Sequence, residues 1–427
     1  MLKKIPVDQV RVGMHLHALD GPWIDHPFWK TSFVIRDPAD VAKLRTSGVA
    51  GVWIDIGKGL DVAPEGAASA AQPPAAPVAA PASPPQPAAP PLPTSSGGPS
   101  RSAVTWPPVP SRTLQDELKQ AAALCRQAHA QVKSMFTEAR LGRAADAEQC
   151  LPLVNDIADS VFRNPAALVS LARLKTQDDY TYLHSVAVCA LMITLGRELG
   201  LSPAACRDVG LAGLMHDLGK AAMPLDILNK PGKLTDAEYT LMKTHPLRGH
   251  ELLVEGRGAP ETALDVCLNH HERMDGAGYP NGLPPERISQ FARMGAVCDV
   301  YDAITSDRPY KTGWDPASSI AAMASWKGHF DPVVFKAFVK GVGIYPVGSL
   351  VKLQSGRLGV VIEQNLQSLA APRIKVFFST KSNMPVSLQE LDLARSNDKI
   401  VSREDPKAWG FPQLDELWAG ELAPKRG

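Results

Sequence analysis

The chain has 427 residues, too many for one ordinary hydrophobic core, and this length predicts roughly two to three domains. Its 45 basic and 44 acidic side chains nearly cancel, which argues against a protein that binds long nucleic acids or an anionic membrane through a global field. No window reaches the ~18 uninterrupted apolar residues of a membrane span, and no apolar run follows the first lysines. We therefore expect a cytoplasmic protein.

Residues 1–61 are predicted to form a small α+β module. The β-type runs RVGMHL, SFVIR and GVWIDI are separated by Gly and Pro, and DPADVAKLRTSG between the last two is typical of a helix. An aromatic cluster in this module either packs in its core, which we favour, or forms a partner-binding face. The cluster consists of Trp23, Phe28, Trp29 and Phe33.

Residues 62–110 are predicted to be a disordered or polyproline-like linker. The segment holds 15 of the chain's 38 prolines, together with many alanines and serines. Proline at this density removes helix and sheet hydrogen bonds, and the segment lacks the apolar periodicity that would bury a core face.

Residues 111–341 are predicted to be a helical domain of catalytic size. Apolar residues recur at intervals of three and four, and Gly or Pro ends most segments. The long helix predicted from Leu114 to Phe136 either forms a homodimer contact or packs on its own domain. The sequence does not distinguish these two arrangements.

Residues 342–402 are predicted to be a small β appendage, because β-branched residues alternate around turn residues in GSLVKLQSGRLGVVIE and PRIKVFFST. We expect residues 403–427 to form a poorly ordered tail. The predicted fold class is therefore mainly α, with a small α+β domain at the amino end and a small β appendage at the carboxyl end.

Six of the eleven histidines lie between positions 184 and 271, and most stand beside a carboxylate or another histidine. Imidazoles together with carboxylates suit a first-row divalent ion such as iron, manganese, zinc or nickel. With His250 set aside as a helix-surface residue, the candidate ligands are more than one ion needs. They are His184, His216, Asp217, His245, His270, His271 and Asp299.

The doublet His216-Asp217 is stronger evidence than the isolated His184. A single histidine on an apolar helix is more often a hydrogen-bonded core residue than a ligand. His216 and Asp217, however, end the apolar run VGLAGLM, where two ionisable groups are costly to bury without partners. A cation is the simplest compensation, and Asp217 is a candidate to bridge two ions.

Lys220 follows His216 by four residues, and two placements are open. If the helix continues through HDLGK, Lys220 lies on the same face as His216. If Gly219 and Pro224 end the helix, Lys220 lies in a loop beside the site. Both placements keep Lys220 within reach of a phosphate held at the ions.

Two further segments predict contacts with an anionic ligand. HHERMDGAGYPNGLP combines two candidate ligands with a Gly-Tyr-Pro turn whose glycines permit close backbone approach, although glycine-rich loops are common. CDVYDAITSDRPYK places Asp299 on a helix and Arg308 and Lys311 at its end. These two cations act either as phosphate clamps or as a solvated basic helix end.

Five motifs in order along the chain resemble the HD-GYP domain, a subgroup of the HD phosphohydrolase superfamily. They are YTYLHS, HDLGK, THPLRGHELL, HHERMDGAGYPNGL and DVYDAITSDRPYK. The resemblance is collinear over residues 150–340 and implies an all-helical HD-type catalytic domain. VRVGM, DGPWIDHPFW and VWIDIG are similar to the small domain often found ahead of HD-GYP domains in bacterial proteins.

The resemblance implies hydrolysis of cyclic di-GMP to pGpG, and in many members onward to GMP, at a centre of two ions, usually iron or manganese. The ligands of one ion would be His184, His216, Asp217 and Asp299. The ligands of the other would be Asp217, His245, His270 and His271.

The resemblance also implies roles around the ions. Lys220, Arg308 and Lys311 would hold the phosphate that is attacked. Asp217 and Lys220 would be the catalytic residues. The turn of Gly278, Tyr279 and Pro280 would serve substrate access or contact with partner proteins that carry a GGDEF cyclase domain.

One position departs from the family members that bind three ions. Those members have an additional carboxylate one helical turn before the first histidine, where this chain has Tyr180. Asp178 and Asp179 are close in sequence but would point elsewhere on a helix. We therefore predict two ions.

The resulting mechanism needs no protein nucleophile, because a hydroxide generated at the ions would attack phosphorus while Lys220 helps to neutralise the developing charge. Two alternatives stay open. The first is a module that binds cyclic di-GMP or a GGDEF-domain partner with little turnover. The second is a hydrolase of another nucleotide. A degenerate binding module is expected to lose ligands or the GYP turn, and this chain has kept both.

Overall fold

The computed structural model describes residues 2–20, 33–35, 37–46, 51–61, 114–174, 180–230, 232–306, 313–365, 367–411 and 414–423. The chain divides into two compact units, Met1–Pro99 and Ser100–Gly427. The predicted linker at 62–110 lies outside the described residues, as does most of the aromatic cluster between positions 23 and 33.

The described residues of the first unit form an antiparallel sheet of four strands, one α-helix and a short 3-10 helix, Val7–Gln9. Its strands are β1 (Leu2–Pro6), β2 (His15–Asp20), β3 (Phe33–Val34) and β4 (Gly51–Asp55), and its helix is α1 (Pro38–Thr46). The strand order is β1-β4-β2-β3. In β4, buried Val52 and Ile54 alternate with Trp53, and they pair with Ile5 of β1 and Leu16 of β2. This period of two gives the sheet one buried face.

The second unit is helical over most of its length. Its first helices are α2 (Leu114–Arg140), α3 (Leu151–Arg163), α4 (Pro165–Arg173), α5 (Tyr180–Glu198), α6 (Pro203–Met215) and α7 (Leu225–Leu228). The next are α8 (Asp236–Met242), α9 (His245–Val254), α10 (Glu261–Asn269), α11 (Gln290–Thr305), α12 (Pro316–Ser325) and α13 (Pro332–Val342).

Side chains at the helix starts account for several of these boundaries. The hydroxyls of Ser202 and Ser289 accept hydrogen bonds from backbone N–H groups in the first turns of α6 and α11. Thr235 and Glu238 form a reciprocal capping box at α8. Each bond satisfies an amide group that a helix start leaves unpaired.

Helix α5 lies at the centre of the second unit. The stretch from Val186 to Leu195 is buried, and the helix contacts α2, α3, α4, α6, α11 and α13. A helix that is apolar all round is stable only when neighbours cover every face. His184, which lies just before this stretch on α5, is itself buried.

A five-stranded antiparallel sheet follows the helices. Its strands are β5 (Leu350–Leu353), β6 (Arg357–Glu363), β7 (Arg373–Ser379), β8 (Met384–Asp392) and β9 (Ile400–Arg403), in the order β8-β7-β6-β5-β9. Leu350, Leu358 and Val360 of this sheet belong to the same apolar core as the helices around α5. The sheet, called here the C-terminal β module, is thus packed on the helical domain.

The structure corrects the expectation of a poorly ordered tail after residue 402. Beyond β9, helices α14 (Pro406–Trp409) and α15 (Leu414–Ala419) are formed. Trp418 is only 2% exposed and packs in the main core with Leu414. These two residues are one helical turn apart, so they bury one face of α15. Two apolar residues are too few to form a helical pattern that can be recognised in the sequence. Residues 424–427 lie outside the described part.

The mainly α fold class, with an α+β amino-terminal domain and a carboxyl-terminal β appendage, is confirmed. In the part of the chain that the structure describes, no helix combines the length and apolarity needed to span a bilayer.

Candidate metal centre

The structure brings the seven predicted ligands together from five elements. His184 lies on α5, and His216 and Asp217 directly follow α6. His245 begins α9, and Asp299 lies on α11. His270 and His271 directly follow α10. Residues more than 100 positions apart in sequence thus meet at one place.

Two glycines allow these elements to approach each other. A Cβ atom on Gly219 would lie 1.8 Å from the carbonyl oxygen of His245, so the turn after Asp217 meets α9 backbone to backbone. A Cβ atom on Gly295 would lie 3.2 Å from the Cβ of His270, where α11 passes α10. A side chain at Gly219 would force the two histidine-bearing segments apart.

Asp217 lies between the two predicted ligand sets. Its Oδ2 is 3.5 Å from His184 Nε2 and 3.3 Å from His216 Nε2. Its Oδ1 is 3.2 Å from His245 Nε2 and 3.9 Å from His270 Nε2. The two oxygens of one carboxylate therefore face different pairs of histidines, which is the arrangement that a bridging ligand requires.

Asp299 closes the cluster from the α11 side. Its Oδ1 is 3.0 Å from His184 Nε2 and its Oδ2 is 3.7 Å from His271 Nδ1. Three overlapping triads have ligand atoms within 4.8 Å of one another. They are His184 with His216 and Asp299, His216 with Asp217 and His270, and His245 with His270 and His271.

Hydrogen bonds to backbone carbonyls fix three of the imidazoles. The Nδ1 atoms of His216, His245 and His270 lie 2.8, 2.8 and 3.0 Å from the carbonyl oxygens of Gly213, Met242 and Val266. A carbonyl accepts only, so each Nδ1 must carry the proton. In the neutral ring, which is the form that binds a metal, each Nε2 then presents a lone pair to the centre of the cluster.

Four buried atoms of the cluster have no aligned hydrogen-bond partner among the described residues. They are His216 Nε2, His245 Nε2, His270 Nε2 and Asp217 Oδ1. Buried polar atoms in native proteins are nearly always satisfied, and here lone pairs of nitrogen and oxygen face one another at 3.2 to 3.9 Å. A cation between them satisfies all four, so these residues fit a divalent metal.

Asp302 is a functional candidate that the sequence reasoning missed. Its Oδ2 lies 2.6 Å from His184 Nδ1, and its Oδ1 accepts a hydrogen bond from Ser306 Oγ. A carboxylate on the outer nitrogen of a ligating histidine fixes the tautomer and raises its basicity. The signal in the sequence was the three-residue spacing from Asp299, which places both carboxylates on one face of α11.

The charges of the cluster are strongly coupled. Burial disfavours the charged forms, but the histidines and Lys220 hold the pKa of Asp217 well below its usual range. Burial lowers the pKa of His216, yet Asp217 and Asp299 outweigh it and raise that pKa to about 10. Burial and the neighbouring His216 lower the pKa of His270 to about 3. A metal ion bound here would therefore displace a proton from His216, whereas His270 is already neutral at neutral pH.

Lys220 lies neither on a continued helix nor in a loop, the two placements that the sequence left open. Helix α6 ends at Met215, and Lys220 lies in a separate 3-10 helix, Leu218–Ala222. Its Nζ is 2.5 Å from Asp217 Oδ2, so the ammonium stands at the edge of the cluster. Arg140 of α2 donates a hydrogen bond to the carbonyl oxygen of Lys220 at 3.3 Å and thereby holds the backbone of this 3-10 helix.

The Gly-Tyr-Pro turn covers one side of the cluster. The ring of Tyr279 stacks on the ring of His271, with 4.5 Å between centroids. A Cβ atom on Gly278 would lie 2.5 Å from the Cα of Glu272, so the chain passes close to itself here. The peptide bond between Tyr279 and Pro280 is cis.

Glu272 organises this turn and was also missed by the sequence reasoning. Its buried carboxylate accepts hydrogen bonds from the backbone N–H groups of Asn281 at 2.8 Å and Leu283 at 2.9 Å. A carboxylate that accepts two amide hydrogens ties the turn to the histidine doublet next to it. Only its position directly after His270-His271 indicated such a role.

Two predicted substrate contacts, Arg308 and Lys311, lie outside the described residues, and so do Asp178 and Asp179. Tyr180 is the first residue of α5. His250 lies on α9, and none of the three triads of described residues includes it.

Comparison with known proteins adds three findings. A family model described as a domain of unknown function matches residues 2–150, and one described as an HD domain matches residues 155–334. The chain is 54% identical over 430 residues to a cyclic di-GMP phosphodiesterase, PA4108, of Pseudomonas aeruginosa, covering 100% of this chain and 98% of that protein.

Two further relatives match over shorter stretches. The cyclic di-GMP phosphodiesterase response regulator RpfG of Xanthomonas campestris is 44% identical over 34% of this chain and 39% of its own length. A 3'3'-cGAMP-specific phosphodiesterase of Vibrio cholerae is 38% identical over 32% of this chain and 31% of its own length.

Proposed function

The chain belongs to the HD-GYP family of cyclic di-GMP phosphodiesterases, and we propose that it hydrolyses a phosphodiester bond of cyclic di-GMP with the aid of two divalent ions. The observation that carries the proposal is the set of four buried, unsatisfied atoms on three histidines and Asp217. HD domains bind divalent metals, and these atoms are the ligands that such ions would use.

We assign His184, His216, Asp217 and Asp299 to one ion. Asp217, His245, His270 and His271 are assigned to the other. When bound, the ions supply positive charge to a phosphate and lower the pKa of a water molecule towards neutrality. Nitrogen and carboxylate ligands together favour iron or manganese over magnesium, which prefers oxygen ligands alone.

The protein's own residues hold and orient the substrate. Lys220, whose ammonium lies 2.5 Å from Asp217 Oδ2, is placed to neutralise a phosphate oxygen at the cluster. Arg308 and Lys311 are proposed as further phosphate contacts. Tyr279, stacked on His271, covers the cluster beside the proposed entry of the substrate. Six of the seven proposed ligands are buried, which limits the access of bulk water to the cluster.

Hydrolysis of another cyclic dinucleotide is the second candidate, because one relative is specific for 3'3'-cGAMP. A binding module with little turnover is the third, and the complete ligand set speaks against it. Partner proteins with a GGDEF domain, a homodimer and a cytoplasmic location stay predictions.

The deciding experiment is anaerobic hydrolysis of cyclic di-GMP by protein loaded with iron or manganese, with pGpG and GMP separated chromatographically. The matched variants are His216→Ala with Asp217→Ala, and His250→Ala as a control on α9. Turnover that is lost in the double variant and kept in His250→Ala supports the proposal. Two bound metals without turnover of cyclic di-GMP would contradict it, and a parallel assay with 3'3'-cGAMP would then test the second candidate.

A further inference from the structure

His271 differs from the other four histidines of the cluster in what holds its ring. Each of the others has its Nδ1 atom in a hydrogen bond, to a backbone carbonyl or, for His184, to the carboxylate of Asp302. The Nδ1 atom of His271 lies 3.7 Å from Asp299 Oδ2, too far for a hydrogen bond, and its ring makes no hydrogen bond to any residue that the structure describes. The orientation of this proposed ligand therefore depends on packing.

Tyr279 supplies this packing. The rings of Tyr279 and His271 are nearly parallel, with 27° between their planes and 4.5 Å between their centroids. The backbone N–H of Tyr279 also donates to the carbonyl oxygen of His271 at 3.2 Å, so the two residues are joined through the main chain as well as through their rings. Contact between the two ring faces leaves fewer rotamers open to the imidazole.

Glu272 fixes the turn on which Tyr279 lies. Its side chain is buried, and its two oxygens act separately: Oε1 accepts from the backbone N–H of Asn281 at 2.8 Å, and Oε2 accepts from that of Leu283 at 2.9 Å. A glutamine at this position could accept only one of these bonds, because its amide nitrogen is a donor. The remaining backbone N–H would then face a second donor, which would displace the turn.

We propose that Tyr279 is a positioning residue whose ring orients His271 towards its ion, and that Glu272 holds the turn that places the ring there. The ligand atoms of His245, His270 and His271 lie within 4.8 Å of one another, so rotation of His271 would remove one ligand from this set. A ligand that is oriented before binding loses less conformational entropy when the ion binds. The inference rests on the proposed function, which assigns His271 to that ion.

The test is Mn²⁺ binding by the full-length protein without substrate, measured by equilibrium dialysis. The wild type is expected to bind two ions per chain. Tyr279→Leu, which replaces the flat ring by an aliphatic side chain, is expected to weaken the binding of one ion about tenfold and to leave the other unchanged. Tyr279→Phe keeps the ring, so both affinities are expected to match those of the wild type. Equal weakening in both variants would assign the effect to the hydroxyl group and overturn the inference.

Glu272→Gln tests the role of the turn. It is expected to weaken one ion as Tyr279→Leu does, and the double variant should lose no more affinity than the weaker single variant, because both changes act through one ring. Glu286→Gln is the matched control, since Glu286 is an exposed carboxylate in the 3-10 helix Pro285–Arg287, just after the turn. Additive losses in the double variant, or an equal loss in Glu286→Gln, would overturn the role of Glu272.

The Tyr279 variants keep the inference testable if Glu272→Gln does not fold, because Tyr279 is only partly buried. Wild-type affinity for both ions in Tyr279→Leu would overturn the inference. Two bound ions without hydrolysis of cyclic di-GMP by the wild type would contradict the proposed function alone, since the binding measurements are made without substrate.

Discussion

Two buried polar clusters of the helical domain differ in how their charges are satisfied. In the first, the carboxylate of Glu117 accepts from Arg163 Nε at 2.9 Å, Arg163 Nη2 at 3.1 Å and Ser160 Oγ at 3.0 Å. In the second, the histidine–aspartate cluster around Asp217, four buried atoms lack an aligned partner. The central carboxylates of both clusters, Glu117 and Asp217, are buried, yet only the first cluster is complete with protein atoms alone.

This difference distinguishes a buried polar cluster that stabilises the fold from one that binds a cation. A buried charge costs several kcal/mol unless it is paired, so a fold keeps an incomplete cluster only where another group completes it. The Glu117 cluster joins α2 to α3 and needs nothing else. The Asp217 cluster joins five segments of the chain and needs a cation. Substitutions in the first should therefore change stability, and substitutions in the second should change metal binding and turnover.

The largest effect is expected for Asp217→Asn. The substitution removes the charge that both ligand sets share, so kcat/KM should fall by at least about 10³-fold and bound metal should fall below one ion per chain. Addition of Mn²⁺ should raise the melting temperature of the wild-type protein but not that of the variant. Metal analysis and thermal unfolding check both statements.

Asp208→Asn is the control for this prediction, because Asp208 is an exposed carboxylate of α6, nine residues before Asp217. It should behave like the wild type in both measurements. Full metal occupancy in Asp217→Asn would contradict the bridging role and with it the distinction between the two clusters.

The next effect is expected for Arg163→Met, which leaves the 1%-exposed Glu117 without its cation. Breaking a buried pair by removing one partner should lower the free energy of unfolding by about 3 kcal/mol. Metal content and kcat of the folded protein should stay at the wild-type values. Urea denaturation measures the first quantity, and loss of metal from the folded variant would show that the clusters are coupled.

A smaller effect is expected for Asp302→Asn. The amide keeps an acceptor for His184 Nδ1 but loses the negative charge, so metal affinity should fall about tenfold and activity should recover at saturating metal. Ser306→Ala, which keeps the carboxylate and removes only its hydroxyl neighbour, should have a weaker effect. A titration with Mn²⁺ compares the variants; unchanged affinity in Asp302→Asn would remove Asp302 from the metal centre.

The helical domain and the candidate ligands could be predicted because each leaves a pattern in the sequence. The helices show apolar residues at intervals of three and four, and the ligands are ionisable residues that stand beside apolar runs. The buried doublet His216-Asp217 signalled a cation before any contact was known. Asp302 and Glu272 escaped notice because their roles depend on which atoms face them in space. The helical structure after residue 402 was missed for a related reason. Helix α15 is stabilised because its own Trp418 packs in the core of the helical domain, a contact that the sequence around it does not reveal.

The smallest effect, on the free energy of unfolding, is expected for substitution of Asp331. Unlike Asp217, Asp331 is paired with protein groups. It caps α13 by accepting from the backbone N–H groups of Val333 and Val334 at 2.8 and 3.0 Å, and it pairs with Arg293 at 2.7 Å. Burial raises the pKa of Asp331, but these partners outweigh it, so the folded pKa is below the usual value. Asp331→Ala should cost about 1 kcal/mol at neutral pH.

The pH dependence of that cost follows from the lowered pKa. A carboxyl whose folded pKa is depressed contributes stability that is present above its unfolded pKa, near 3.9, and is lost as pH falls through the folded pKa. The difference in unfolding free energy between wild type and Asp331→Ala should therefore narrow between pH 5 and pH 2. Metal content should be the same in both proteins, since Asp331 needs no cation beyond Arg293. A difference that stays constant over this range would assign the stability to the uncharged cap alone.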